Sequence, residues 1–590
     1  MMSRELLRKV ALGETAADLV IQNGTLVNVM TRELQHHVDI VIKAKRIASI
    51  GKADHLIGPE TKVVDATGKY VSPGFMDGHM HVESTMLSVT EFAKAALKKG
   101  TTAIFMDPHE IANVLGTEGV KLMHEEGRSL PLKVFTTFPS CVPATNDLED
   151  AGANLNEKDI EEGLEWDGVI GLGEVMNFPG VVYNDPKMIN EIEATIAAGK
   201  TVTGHFPDGT SGMLQAYIAS GVDSCHETIS KEQALEKARL GMHIMIREGS
   251  AWQDVKEVIK IITEDRIDST NVSLVTDDIY PETLVEKGQL NHVVRRAIAE
   301  GVDPVEAIQM ATINVARYFQ IDKQYGSISP GKFADIILLD DLTNVESSTV
   351  ITNGEVIVSD RELVKEIPEY EYPAHAKDTV KLQRILKPED FMISTDQQGH
   401  VDVNGIRIIE NSARTEKMTA TLPVDDGVVK IDLEQDIIQL ACIERHKGTG
   451  QISLGFSQGF GLKSGAVAST VAHDSHNLLV MGVNQEDMAI AANKLAESGG
   501  GMIVVEDGEV LAHVPMPIAG LMSDQPIENV VEQVKALEKA WQQLGCTINA
   551  PFMTFSLIAL PVIPEVRISN RGLVDVTKFE LIDVVKGSET

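Results

Sequence analysis

Cysteine is scarce in this 590-residue chain: Cys141, Cys225, Cys442 and Cys546 are scattered, with no C-x-x-C pair. That excludes a disulfide framework and a cysteine-built zinc site. It also excludes the zinc cytidine-deaminase design, which needs H-x-E with P-C-x-x-C. No run approaches the roughly 20 apolar residues of a membrane span. The N-terminal text MMSRELLRKVALGETAADL mixes charges into its apolar positions and lacks the core of a signal peptide. A cytoplasmic protein is expected. Basic residues are also short, 52 against 87 acidic ones, for a net charge of −35. Such a surface repels phosphate, so the expected partner is a small neutral molecule, with no nucleic acid and no membrane. Solenoid repeats and low-complexity tracts are missing as well.

Hydrophobic residues make up 43% of the chain, enough to fill the cores of two to four domains at roughly 150 residues each. From Asp18 to Gly74 the text reads as short strands separated by Asn-Gly and Ala-Thr-Gly turn signals, and similar text returns after residue 326. Residues 1–70 with 326–365 are therefore expected to form a composite β-sandwich. Between them, at 71–325, eight strand candidates alternate with helical text such as LSVTEFAKAALKKG and ISKEQALEKARLG. That is the size and rhythm of a (β/α)₈ barrel of the TIM type, whose chemistry sits at the C-terminal ends of its strands. After the charged connector EIPEYEYPAHAKDTVKLQ, residues 366–590 read as a separate α/β domain, with strands in IIQLACIERH and GMIVVEDGEV and a helix in NVVEQVKALEKAWQQLG. The fold class is α/β.

The stretch VSPGFMDGHMHVEST, residues 71–85, carries the first chemical signal. Its apolar-leaning run stops at Asp77 and Gly78, and alternation then points His79 and His81 to one side. A lone histidine at a strand end is usually just a satisfied polar residue. Here the other strand ends add Glu174, His205, His226 and Asp277, and that combination is the ligand set of a metal centre. Four neutral imidazoles and two carboxylates suit two divalent ions, with Glu174 bridging them. His243 opens a strand instead of ending one and keeps a structural reading.

GFMDGHMH, GHFP, SCHE and VTDD resemble the amidohydrolase superfamily, barrels that hydrolyse C–N and related bonds with one or two metals. ATINVARYFQIDKQYGSISPGKFADIILLD resembles that superfamily's closing helix and its return to the sandwich. More narrowly, DGHMHVEST, DPHEIANVLG, GLGEVMN and GLKSGAVASTVAHDSHNLLVMG are similar to the bacterial adenine deaminase family. Many binuclear superfamily members carry a carbamylated lysine at strand four. Here Glu174 takes that place, as the narrower resemblance implies.

The resemblance implies hydrolytic deamination of adenine to hypoxanthine and ammonia, as in purine salvage, with two divalent metals. Manganese is the first expectation, iron and zinc the alternatives, and a homodimer or larger oligomer is expected. Asp277 is assigned the proton shuttle between the attacking hydroxide and the leaving amine. Glu83 either handles a ring proton or orients a metal histidine. Asp278, in a T-D-D pattern similar to adenosine deaminases, and the strand-end residues His109, Glu110 and Arg247 are candidates for substrate binding, with Glu248 beside Arg247. Two alternatives stand beside this reading: a cyclic amidase of the dihydroorotase or hydantoinase kind, and a barrel scaffold without chemistry. One motif stays open. VAHDSHN, residues 471–477, is either a polar turn, a second metal site or a loop that reaches the barrel mouth.

Overall fold

The computed structural model describes residues 4–145, 147–410 and 412–587; residues 1–3 of the expected sandwich, 146 of the expected barrel and 411 and 588–590 of the expected C-terminal domain lie outside that range. Eight short parallel strands occupy the middle of the chain. They are β1 (Phe75–Met80), β2 (Thr101–Met106), β3 (Lys133–Phe138), β4 (Val169–Val175), β5 (Thr201–Gly204), β6 (Ser224–Cys225), β7 (His243–Arg247) and β8 (Val272–Val275). Both faces of β1, β2, β5, β7 and β8 are buried along their whole length, which is why they read as apolar runs without alternation. Strands β1 to β5 form one sheet and β6 to β8 another. Registers such as Ala103↔Lys133 and Ile244↔Val272 fix neighbouring strands in parallel. A parallel bridge between Met80 and Asp277 joins β8 to β1, and Asp277 N–H donates to the His79 carbonyl at 3.1 Å. At the other seam Asp223 N–H reaches the Val202 carbonyl at 3.4 Å. The parallel sheet is thus curled, with its C-terminal strand ends gathered at one mouth.

Strand β1 runs through Asp77, where the apolar run of the sequence stops, to Met80. The Asp77 carboxylate is buried because it accepts hydrogen bonds from Thr276 N (3.2 Å), Thr276 Oγ1 (2.6 Å) and Gln289 Nε2 (2.5 Å), which clamps β8 to β1. Burial pushes its pKa up to about 6.

The two flanks of the middle segment share one nine-stranded sheet. Its joint is the antiparallel pairing of Tyr70–Pro73 with Ile336–Leu339, in register Ser72↔Ile337. The C-terminal part is also built on a nine-stranded sheet. It is almost wholly antiparallel; the pairing of His400–Ile408 with Ile452–Gln458 is its parallel exception. This departs from the α/β expectation. Tight turns link many successive strands there, as in Gly501–Glu506 to Glu509–Pro515, and the helix Gln485–Glu497 makes a crossover, from Leu478–Gly482 over Ala466–Ser469 to Gly501–Glu506. One hairpin in this sheet, β9 (Ala466–Ser469) and β10 (Leu478–Gly482), is joined by residues 470–477. The C-terminal part docks beside the mouth. Ser523 N–H donates to the Met86 carbonyl at 2.8 Å and Ile527 N–H to Glu91 Oε2 at 3.2 Å. One apolar core, including Val89 and Phe92 of the middle segment and Ile518 and Val530 of the C-terminal part, runs across the junction.

Candidate active site

Every member of the expected ligand set lies at a strand end, and the curled sheet brings them to one place. Glu174, at the end of β4, is the hub. Its Oε2 lies 2.5 Å from His205 Nδ1 and 3.2 Å from His226 Nε2, and its Oε1 3.3 Å from His81 Nε2. Asp277 Oδ1 stands 3.5 Å from His79 Nε2 and 3.4 Å from His81 Nε2. The His79 and His226 rings stack at 4.0 Å. Asp277 adopts φ +61°, a left-handed conformation that aspartate tolerates better than most residues and that turns its carboxylate back over the mouth.

A divalent metal centre fits this donor set. The ligand atoms of His79, His81 and Asp277 lie within 4.8 Å of one another, and so do those of His79, Glu174 and His226. His79 Nε2 is buried and has no hydrogen-bond partner. Glu83, Asp107, Glu110, Glu174, Asp277 and Asp474 bring buried carboxyl groups to one locus, and Arg247 is a fixed cation in contact with Asp277. Burial alone would raise Glu174, but His205 and His226 reverse this and hold it well below the carboxylate range. Divalent cations would balance such a cluster.

The backbone holds the donors in orientation. His81 Nδ1 faces the Asp107 carbonyl at 2.9 Å, which leaves Nε2 for the centre. Asp107 Oδ2 in turn accepts from Glu174 N–H at 2.8 Å. Asp107, in DPHE, was not expected in the site, although its place at a strand end was a usable signal.

The expected substrate residues divide. Ser84 Oγ lies within hydrogen-bond reach of Asp278 and, at 3.2 Å, of Glu110, and can donate its one proton to either. Glu83 accepts Ile111 N–H at 3.2 Å through Oε1, while Oε2 is buried and unpartnered. His109, at the start of helix α1 (His109–Arg128), sits 3.5 Å from Glu174 Oε1. Burial would depress it, yet the surrounding carboxylates, Asp107 first, lift its pKa to about 10. Arg247 is fully engaged by Asp277 (Nη1 to Oδ2, 3.0 Å), Asp254 (Nε to Oδ2, 2.7 Å) and Glu227. Its place in the site is therefore on Asp277. Glu248 points elsewhere, to Arg296 Nε at 3.0 Å. His243 hydrogen bonds Ser273 Oγ at 2.7 Å and stacks on Tyr318, as its structural reading expects.

VAHDSHN reaches the mouth. His473 Nδ1 comes within 3.8 Å of Glu110 Oε1, and Asp474 Oδ1 within 3.9 Å of His109 Nε2. Cys141 lies beside His109 and Asp474. No spacing in the sequence signals that neighbourhood.

Comparison with known proteins decides the family. Residues 70–357 match the amidohydrolase family, and residues 412–580 match the adenine deaminase C-terminal domain. An adenine deaminase of Moorella thermoacetica is 52% identical over 99% of this chain and 98% of its own. One from Clostridium botulinum is 49% identical over 98% and 97%. The chain belongs to the adenine deaminase family of amidohydrolases. Among solved structures, a β-aspartyl dipeptidase from Fervidobacterium islandicum has a TM-score of 0.47 at 17% identity, covering 60% of this chain and 98% of that one.

Proposed function

We propose that this enzyme hydrolyses adenine to hypoxanthine and ammonia at the mouth of the curled sheet. The observation that carries the reading is the convergence of four histidines on Glu174 and Asp277, in a chain similar to adenine deaminases over nearly its full length. The cyclic-amidase and scaffold alternatives are not favoured, since Glu174 replaces the bridging lysine and the ligand set is complete.

His79, His81, Glu174, His205, His226 and Asp277 would hold two divalent ions. When bound, such ions would lower the pKa of water to about 7 and so supply hydroxide at neutral pH. Asp277 takes the proton released at the attacking oxygen and passes it to the departing amine, which leaves as ammonia. Arg247, bonded to Oδ2, orients that carboxylate with Oδ1 toward the histidines. Glu83, with one free buried oxygen, delivers or holds a purine ring proton, while Asp278 and Glu110 line the substrate side with Ser84 between them.

The same reading takes the eight parallel strands as a closed (β/α)₈ barrel over residues 71–325. Residues 1–70 with 326–365 are its sandwich and 366–590 the appended domain. The bridge from β8 to β1 and the pairing of residues 70–73 with 336–339 support it. Manganese is the proposed metal, in a cytoplasmic enzyme that assembles as a dimer or larger. No helix among the described residues is long and apolar enough to cross a membrane.

The test is purified enzyme stripped of metal, reloaded separately with manganese, iron and zinc, and assayed with adenine, hydantoin and dihydroorotate. Release of ammonia from adenine is expected, fastest with manganese. Turnover of a cyclic amide without adenine turnover would overturn the assignment.

A further inference from the structure

Buried polar atoms without hydrogen-bond partners gather where the mouth meets the C-terminal domain. They are Glu83 Oε2, Asp107 Oδ1 and His109 Nδ1 on one wall, and Asp474 Oδ2 and His476 Nε2 on the other. The facing pairs stand apart: His473 to Glu110 at 3.8 Å, His476 to Glu110 at 4.0 Å, Asp474 to His109 at 3.9 Å. Such gaps are too long for hydrogen bonds, and unpaired polar groups in a buried site are costly. The turn itself is not loose. Arg445 Nε donates to the His476 carbonyl at 2.5 Å, His446 Nε2 meets the Ser475 carbonyl at 2.7 Å, and Asn477 Nδ2 donates to the Asp150 carbonyl at 2.8 Å. A pinned backbone that presents unpaired side chains is built for a ligand.

We propose that Asp474 is a substrate-binding residue whose free carboxylate oxygen accepts the ring N–H of the purine, so that the C-terminal domain makes the site selective for an unsubstituted nucleobase. This rests on the adenine reading above. A carboxylate only accepts, and adenine has two kinds of donor, its exocyclic amine and one N–H on the five-membered ring. The amine belongs at the metal-binding carboxylates. The ring N–H is left for an acceptor on the far side of the site. Asp474 stands there: His109 turns Nδ1 to Glu174 at 3.5 Å and Nε2 to Asp474 at 3.9 Å, so one imidazole ring separates the two carboxylates. A purine substituted at N9 lacks the donor and would leave Asp474 buried and unpaired, the situation that gives hydrogen-bonding sites their strongest discrimination.

The test compares adenine with 9-methyladenine, and purine with 9-methylpurine, on metal-loaded enzyme. Wild-type enzyme should prefer adenine by at least about a hundredfold in kcat/KM. Calorimetry should show purine binding at least about tenfold more tightly than 9-methylpurine. In Asp474→Asn and Asp474→Ala, KM for adenine should rise about ten- to a hundredfold with kcat changed far less. Metal content should hold, and the preference for adenine over 9-methyladenine should shrink by the same factor. Equal handling of the methylated compounds by wild-type enzyme would overturn the proposal even if the variants fail to fold. So would an unchanged preference in the variants, or loss of bound metal, which would place Asp474 among the ligands. Absence of adenine turnover with purine still preferred over 9-methylpurine would count against the deamination reading and support the role of Asp474.

Discussion

Glu174 and Asp277 carry different duties at nearly the same place, and substitution separates them. Glu174→Gln keeps the shape but removes the charge that faces His81, His205 and His226. Bound metal should fall together with turnover, and a variant with two metals per chain and normal rates would end the bridging role. Asp277→Asn leaves four histidines and Glu174, so it should retain at least one metal while kcat drops about 10²- to 10⁴-fold. Near wild-type kcat would remove Asp277 from the proton path. A third residue, Glu191, is buried away from the site on the helix Pro186–Ala197, with neither carboxylate oxygen hydrogen bonded. Burial pushes its pKa up to about 8. The folded state then binds a proton that the unfolded state has released above about pH 4.5, so stability falls as pH rises from about 4.5 to 8. Glu191→Met should therefore stabilise at both pH values, by roughly 4 kcal/mol more at pH 8 than near pH 4.5, as thermal melts at the two pH values would reveal. An equal gain at both would mean that the carboxyl group is not the cause.

At the scale of elements, parallel strands deliver chemistry because their C-terminal ends meet at one mouth, and the β9–β10 hairpin delivers a turn to that mouth from another sheet. Arg445 is what holds that turn. Besides the His476 carbonyl, its guanidinium donates to Thr379 O (3.2 Å), Thr379 Oγ1 (3.0 Å) and Ala519 O (3.0 Å). It therefore ties the connector, the hairpin and the segment beside Ser523 into one piece. Arg445→Met strands these acceptors, so a loss of a few kcal/mol in stability and a rise in KM for adenine are expected, with metal content unchanged. Arg445→Lys should recover only part of this, because an ammonium cannot reproduce the fork. Full recovery of both by lysine would argue that charge alone matters.

For the whole molecule, the buried carboxyl groups at the mouth tie stability to metal. Ions that bind the folded state alone stabilise by about 2.7 kcal/mol at a hundredfold excess over Kd. Treatment with a chelator should lower the calorimetric transition, and readdition of the ion should restore it. A metal-free protein that melts at the same temperature would show that the cluster is not a resident metal site. The asymmetry of charge, −35 overall, also predicts weak retention on phosphate-bearing matrices at any salt concentration.

Much of this was readable from residues. Most of the eight parallel strands are buried runs with little alternation, so length and apolarity marked them, and the polar residues that break those runs marked the mouth. His79, His81, Glu174, His205, His226 and Asp277 were legible as a set: one such residue at a strand end says little, but six at the ends of strands in one parallel array point to a shared centre. The antiparallel order of the C-terminal sheet was not legible, because short apolar runs look alike whichever way the neighbour travels. Nor were the partners of Arg247, since Glu227 and Asp254 lie on different loops and no periodicity links them to Asp277. The contact of His473 and Asp474 with Glu110 and His109 joins positions more than 360 apart in the chain. Sequence determines which side chains a local element can present, through period, burial and turn chemistry. Which of them meet across a domain boundary is decided by how two sheets pack, and only the folded molecule contains that information.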